Sequence, residues 1–141
     1  NADTGSDPGK ARAAIQRAAA YARERKVFGR PIGQNQAIAH PLAQSWAQLE
    51  AANLMAFEAA RLYDTGQPCG IQANAAKYLA GEYAFTACER AVVTLGGMGY
   101  AQEYHVERLL RESLIPRIAP ISSQMILNFL SEKALGLPKS Y

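Results

Sequence analysis

Apolar residues recur along most of this chain at steps of three and four, the spacing of helices that each bury one face. Ala11, Ile15, Ala18 or Ala19, and Ala22 give a weakly apolar stripe to a first helix from about Pro8 to Val27, with Asp7 as its cap. Gly29, Pro31 and Gly33 break the pattern and predict a loop. A long second helix follows, roughly Asn35 to Asp64, with Leu42, Trp46, Leu49, Asn53, Ala56, Ala60 and Tyr63 expected on its inner face. Pro41 should bend or tighten its first turns. Gly66, Pro68 and Gly70 separate it from a third helix, about Ile71 to Leu95, whose inward candidates include Ala75, Leu79, Ala87 and Val92.

Past a cluster of glycines the pattern predicts a short helix near Glu103 to Glu112, then an irregular stretch from Ser113 to Ile121 around Pro116 and Pro120. A last helix starts at Ser122, a plausible cap, and carries Met125, Ile126, Phe129, Leu130 and Ala134 until Gly136 and Pro138 stop it. The expected architecture is an all-α, up-down-up-down four-helix bundle over residues 10–141, preceded by a flexible segment over residues 1–9.

Composition sharpens this picture. Alanine fills 27 of the 141 positions, against four valines and four threonines, which favours helices over strands. With 49% hydrophobic residues, the chain can bury a core. No apolar run reaches the eighteen or so residues that would span a bilayer, and no charged-then-apolar leader opens the chain, so a cytoplasmic protein without a membrane partner is expected. Cys69 and Cys88 match no metal-ligand spacing and are expected as free thiols. Seven of the fifteen basic residues fall before Pro31, an excess that could meet phosphate groups or form a solvated helix face; the aromatic interleaving of nucleic-acid binders is missing.

Candidate chemistry begins at Gly96-Gly97-Met98-Gly99-Tyr100, which ends the third helix just ahead of a segment rich in arginine and glutamate. Glycines let a backbone approach a ligand, and a following helix N-terminus presents unpaired N–H groups that suit a diphosphate. A simple glycine cap between two helices explains the same residues. Arg25 and Phe28 stand three apart at a helix end, so a guanidinium and a ring could share one face and hold a diphosphate beside a flat heterocycle; an exposed arginine next to a core phenylalanine is the plainer alternative. His40 and His105 have no serine or cysteine in a triad arrangement, and Glu103 and Glu107, beside Arg108 and Arg111, read as ion-pair partners on one helix face.

The run Glu24-Arg25-Lys26-Val27-Phe28-Gly29-Arg30-Pro31-Ile32-Gly33 with Gln36, followed by the glycine cluster, resembles the C-terminal domain of the acyl-CoA dehydrogenases from about Ala11 to Gly136. One position departs: Val93 stands where a polar residue is usual, three places before Gly96. The resemblance implies FAD as cofactor. It implies that Arg25 contacts the FAD diphosphate of a neighbouring subunit, that Phe28 packs near the same cofactor and Gln36 helps hold it, and that Gly96, Gly97 and Gly99 grip its adenosine-diphosphate part. Ser122 and Gln124 match further FAD contacts. It also implies an acyl-CoA substrate, an electron-transfer flavoprotein as redox partner, and a homo-oligomer, dimer or tetramer, built on these bundles.

The same resemblance puts Pro120 where the family's common catalytic glutamate stands, and proline cannot take a proton. In isovaleryl-type members the glutamate lies instead about eight helical turns before Phe28, which falls ahead of Asn1. The family's N-terminal helical domain and middle β-domain have no counterpart in these 141 residues, so the domain alone is expected to be inactive. A flavin monooxygenase or oxidase of the same fold, or a non-catalytic helical partner subunit, would also accommodate Pro120.

Overall fold

In the computed structural model, which describes residues 7–140, four long helices lie side by side with shorter ones wedged between them. Helices α1 (Asp7–Glu24), α2 (Gln36–Asp64), α3 (Gly70–Leu95) and α7 (Ser123–Lys133) are the long rods. Between α3 and α7 come α4 (Gly97–Tyr100), α5 (Val106–Ser113) and α6 (Ile115–Ile118). Strands β1 (Lys26–Val27) and β2 (Arg30–Pro31) form a small antiparallel hairpin pairing Lys26 with Pro31 and Val27 with Arg30. Most of the segment expected to be flexible lies outside the described residues, but residues 7–9 already belong to α1: proline in a first turn forfeits no intrahelical bond.

Helix α3 is central and packs on α1, α2, α5, α6 and α7. Its buried face is made of small residues, Gly81, Ala84, Ala87, Cys88 and Ala91, which let neighbouring helices approach closely. Against it lie Ala11, Ala14, Ile15 and Ala18 of α1, Leu42 and Leu49 of α2, and Val106 and Leu109 of α5. The stripe expected for α1 is the stripe it buries. That of α3 is rotated, with Ala75, Leu79 and Val92 only half-buried while Ala76, Ala84 and Ala91 are inside.

In α2 the period is right and the phase is not. Leu42 and Leu49 are buried as expected, but Ser45, Ala52, Ala59 and Leu62 replace Trp46, Asn53, Ala60 and Tyr63 at the alternate positions. Close packing on an alanine-rich partner selects the smaller side chain at each contact, so the bulky Trp46, 60% exposed, turns outward. Arg90 of α3 fixes this phase. Its guanidinium donates to the Pro41 carbonyl (3.1 Å), the buried Ser45 hydroxyl (2.9 Å) and Gln44 Oε1 (2.9 Å). Pro41 leaves α2 continuous, and Arg90 ties that proline turn to α3.

The remaining departures are local. The short helix expected near Glu103 is interrupted by His105, whose φ of 60° is left-handed, so α5 starts at Val106 and Glu103 falls off its face. On α5, Arg111 pairs with Glu107 at 2.9 Å, and Arg108 and Lys10 both pair with Glu112, tying α5 to α1. Those bonds, Arg108's first, hold the Glu112 carboxyl below the usual range, so its contribution to stability is present above the unfolded-state value and fades as pH falls through the folded one. The Ser113 to Ile121 stretch is not wholly irregular, since Ile115–Ile118 forms the single turn of α6. Both cysteines are free, and burial pushes the Cys88 thiol up to about 11, with a Ser113 hydrogen bond acting the other way. No helix among the described residues is long and apolar enough to cross a membrane.

Replacing Arg90 by alanine removes three bonds that lock α3 to α2 and strips the buried Ser45 hydroxyl of its cationic donor. The expected loss is about 1–3 kcal/mol, read as a lower urea midpoint with an unchanged slope. An unchanged midpoint would show that water replaces those bonds at no cost.

Candidate cofactor site

Helix α3 stops because Gly96 takes φ 59° and ψ −132°, a conformation that side chains exclude. Its N–H donates to the Val93 carbonyl (3.1 Å) and its own carbonyl accepts from Gly99 N–H (2.9 Å), which folds the chain directly into α4. Gly99 is needed for a different reason: a Cβ there would sit 2.2 Å from the Val92 carbonyl oxygen. A Cβ on Gly97 would meet nothing within 4 Å. Two of the three glycines are therefore explained by the chain's own geometry, whereas Gly97 faces open space.

That open space is a cavity of about 340 Å³ between the end of α3 and the end of α1, lined among others by Tyr21, Arg25, Val93, Gly96 and Gly97. Arg25 follows the last turn of α1, its N–H bonded to the Tyr21 carbonyl at 2.8 Å and its carbonyl accepting from Ile32 N–H at 2.9 Å. The backbone is pinned on both sides, yet among the described residues the guanidinium has no ion pair or hydrogen bond. Its neighbours differ: Arg30 donates to Asn35 Oδ1 (2.7 Å) and Arg17 to the Tyr104 carbonyl (3.1 Å). An unpartnered, always charged donor beside a bare glycine backbone has the chemistry that suits an anion. Val93, 72% exposed, gives that cavity an apolar wall.

The single helical face expected to carry Arg25 and Phe28 does not form. Helix α1 ends at Glu24 rather than Val27, because the chain turns into the β1–β2 hairpin. Phe28 and Gly29 make its two-residue turn with φ of 53° and 80°, positive at both positions as that tight turn requires. A phenylalanine is strained there, and its side chain, 101% exposed, makes no compensating contact among the described residues. Gln36 opens α2 on the surface and does not line the cavity.

Ser122 and Gln124 lie elsewhere, on a second cavity of about 490 Å³ that they share with Tyr78, Glu82 and Arg117. Ser122 caps α7, its hydroxyl accepting from Met125 N–H at 3.4 Å. Counted along α3, Glu82 and Val93 are eleven residues apart, roughly 16 Å, so the two cavities flank different parts of one helix. Pro120 is exposed in the turn between α6 and α7 and offers no proton acceptor. Glu82 and Arg117 went unnoticed in the sequence; the available signal was a lone carboxylate in the otherwise uncharged stretch Tyr78 to Cys88. His40 and His105 are exposed on separate elements, and no group of three His, Cys, Asp or Glu among the described residues could hold a metal ion.

A family profile described as the C-terminal domain of acyl-CoA dehydrogenase matches residues 5–135. The acyl-CoA dehydrogenase FadE12 of Mycobacterium tuberculosis is 46% identical over 135 residues, covering 94% of this chain and 35% of that protein. Among solved structures, butyryl-CoA dehydrogenase from Megasphaera elsdenii superposes with a TM-score of 0.87 at 33% identity, covering 93% of this chain and 34% of its own. A structure described as the electron transferring flavoprotein of Acidaminococcus fermentans gives 0.86 at 32% identity, covering 92% and 34%. The chain thus spans about a third of the length of the relatives it matches.

The glycines predict a split outcome. Gly99→Ala should cost about 2 kcal/mol or more, because a Cβ would collide with backbone, while Gly97→Ala should stay within about 1 kcal/mol of the parent. Thermal unfolding of the two variants checks this, and equal losses would show that Gly97 also serves the fold.

Proposed function

The chain belongs to the acyl-CoA dehydrogenase family as its C-terminal domain, and from that premise we propose that it supplies FAD-holding edges and subunit contacts to an enzyme that introduces an α,β double bond into an acyl-CoA thioester. The observation that carries this reading is the unpartnered Arg25 guanidinium across one cavity from the open face of Gly97. Those groups fit a diphosphate. Arg25 would hold its charge and Gly96 and Gly97 would let it approach the backbone. Phe28, strained and fully exposed, would pack near the same cofactor, with Gln36 as a further contact. Ser122 and Gln124, on the separate cavity beside Glu82, would serve a second FAD, so one bundle would edge two cofactors and each site would need a neighbouring subunit.

FAD, when bound, supplies the acceptor for the hydride that leaves the β-carbon. Electrons would then pass to an electron-transferring flavoprotein, a partner in keeping with one of the similar structures. The α-proton needs a base, and Pro120 cannot be it. We assign that role to the glutamate which isovaleryl-type members carry about eight helical turns ahead of Phe28, a position preceding Asn1. Pro120 also favours a second reading, an oxidase or monooxygenase on this fold, for which no base at position 120 is required; a non-catalytic partner subunit is the remaining one. The free thiols of Cys69 and Cys88 support a reducing, cytoplasmic setting.

Assembly has its own support. Trp46, Leu54 and Phe57 of α2 are 60%, 68% and 66% exposed and fall on one side of that helix, away from the face that packs on α3. An apolar stripe of this kind suits a second copy of the bundle, in a dimer or tetramer. Phe57→Glu should shift the full-length protein to smaller species in sedimentation, and an unchanged distribution would place the subunit contact elsewhere.

The cofactor reading is tested in the full-length protein by Arg25→Ala. Loss of a charge-assisted contact to a diphosphate should weaken FAD retention by about ten- to a hundredfold, with Arg25→Lys in between. Retention by both variants equal to the parent would make Arg25 a surface residue. Anaerobic flavin bleaching by an acyl-CoA in a single turnover then separates the chemistries. Bleaching that survives Pro120→Ala and is lost when the upstream glutamate becomes glutamine supports the assigned base, and no bleaching in the parent favours the oxidase or non-catalytic reading.

A further inference from the structure

We propose that Glu82 is a positioning residue whose carboxylate closes the turn between α6 and α7 and so holds Ser122 and Gln124 at the cofactor cavity; the link to the cofactor rests on the reading of those two residues given above. A single oxygen makes the closure. Glu82 Oε1 accepts from Arg117 Nε (3.1 Å) and from the Ser123 hydroxyl (2.8 Å), donors that stand on either side of residues 118–122. Among the described residues, Pro120 and Ile121 take part in no backbone hydrogen bond: the last bond of α6 is Ala119 N–H to Ile115 O, and the first of α7 is Ile126 N–H to Ser122 O. The turn is therefore fastened from α3 rather than by its own backbone.

Two further α3 side chains grip the same element. Lys77 Nζ donates to the Pro116 carbonyl, and the Arg117 guanidinium lies 4.6 Å from the centre of the Phe85 ring. Both reach only α6. Of these three side chains only Glu82 reaches α7, where a negative charge at the first turn also complements the helix dipole. Glu82 and Arg117 are 26% and 36% exposed, so solvent screens the pair in part and the two directed hydrogen bonds matter more than the bare attraction. Ser122 and Gln124 bracket Ser123, and both line the cavity that Glu82 and Arg117 line. Releasing Ser123 would let both move.

The test uses the full-length flavoprotein carrying this domain, with hydrogen exchange of the segment 114–124 and flavin retained after gel filtration as separate readouts. Glu82→Ala should speed exchange in that segment by roughly tenfold and lower flavin retention. Glu82→Gln, whose amide oxygen can accept both bonds without the charge, should fall between the parent and Glu82→Ala. Glu50→Ala, which removes the Arg12 ion pair elsewhere in the bundle, should change neither readout even if it lowers the melting temperature. Ser123→Ala removes one arm of the closure and carries the test if Glu82→Ala does not fold. Unchanged exchange in both overturns the proposal, as does faster exchange with flavin retention equal to the parent. A parent that holds no flavin overturns the reading of the cavity instead, and exchange alone then upholds or overturns the closure.

Discussion

The close approach of the other helices to α3 is the constraint on which this domain depends. Gly81, Ala84, Ala87, Cys88 and Ala91 give α3 a surface almost without side-chain relief, so what packs there is chosen by fit of small groups rather than by burial of large ones. That choice sets the phase of α2, which presents Ser45, Ala52 and Ala59 to α3 and turns Trp46, Leu54 and Phe57 away. The exposed apolar stripe is thus a by-product of the tight core. Arg90 adds direction to a contact that small residues alone would leave free to slide, because its hydrogen bonds to Pro41, Gln44 and Ser45 fit only one register.

The same helix spaces the candidate chemistry. Its C-terminal end delivers the Gly96 turn opposite Arg25, while its middle, through Lys77, Glu82 and Phe85, fastens α6 and the start of α7. A rigid rod between the two keeps them apart. The cavity beside Arg25 is open: among the described residues the Arg25 guanidinium has no partner, and a Cβ on Gly97 would meet nothing within 4 Å. On the proposed reading the two cavities are half-sites, which another surface would have to complete before any chemistry.

Much of the fold was legible in the sequence because helix boundaries depend on local signals. Gly66 and Pro68 separate α2 from α3, and Ser122 caps α7 where its type and position predict. Phase was less legible. At alternate positions of α2 an apolar pattern fits Trp46 or Ser45, and only the alanine surface of α3, distant in sequence, decides between them. The end of α1 was misread for a similar reason: Glu24-Arg25-Lys26-Val27 has good helical propensity, but pairing of Lys26 with Pro31 takes it into a hairpin. Of the candidate site residues, Arg25, Gly96 and Gly97 stand out by charge and glycine spacing. Glu82 could not, since its two partners become neighbours only once α6 and α7 fold back onto α3.

Local costs that the chain does not recover point outward from it. Among the described residues, Phe28 holds a left-handed backbone with no contact to offset the strain, Arg25 keeps a charge unpaired while its own backbone is pinned, and Trp46, Leu54 and Phe57 leave apolar surface in water. Each would be a defect in a self-sufficient bundle, and asparagine, glutamine or lysine at these places would cost the fold little. They fall, moreover, on the faces that the core leaves free: the hairpin tip, the cavity between α1 and α3, and the outer side of α2. On the proposed reading a cofactor and a neighbouring subunit complete these open faces, so stability measured on the domain alone and stability of the assembled, cofactor-bound protein should respond to different residues.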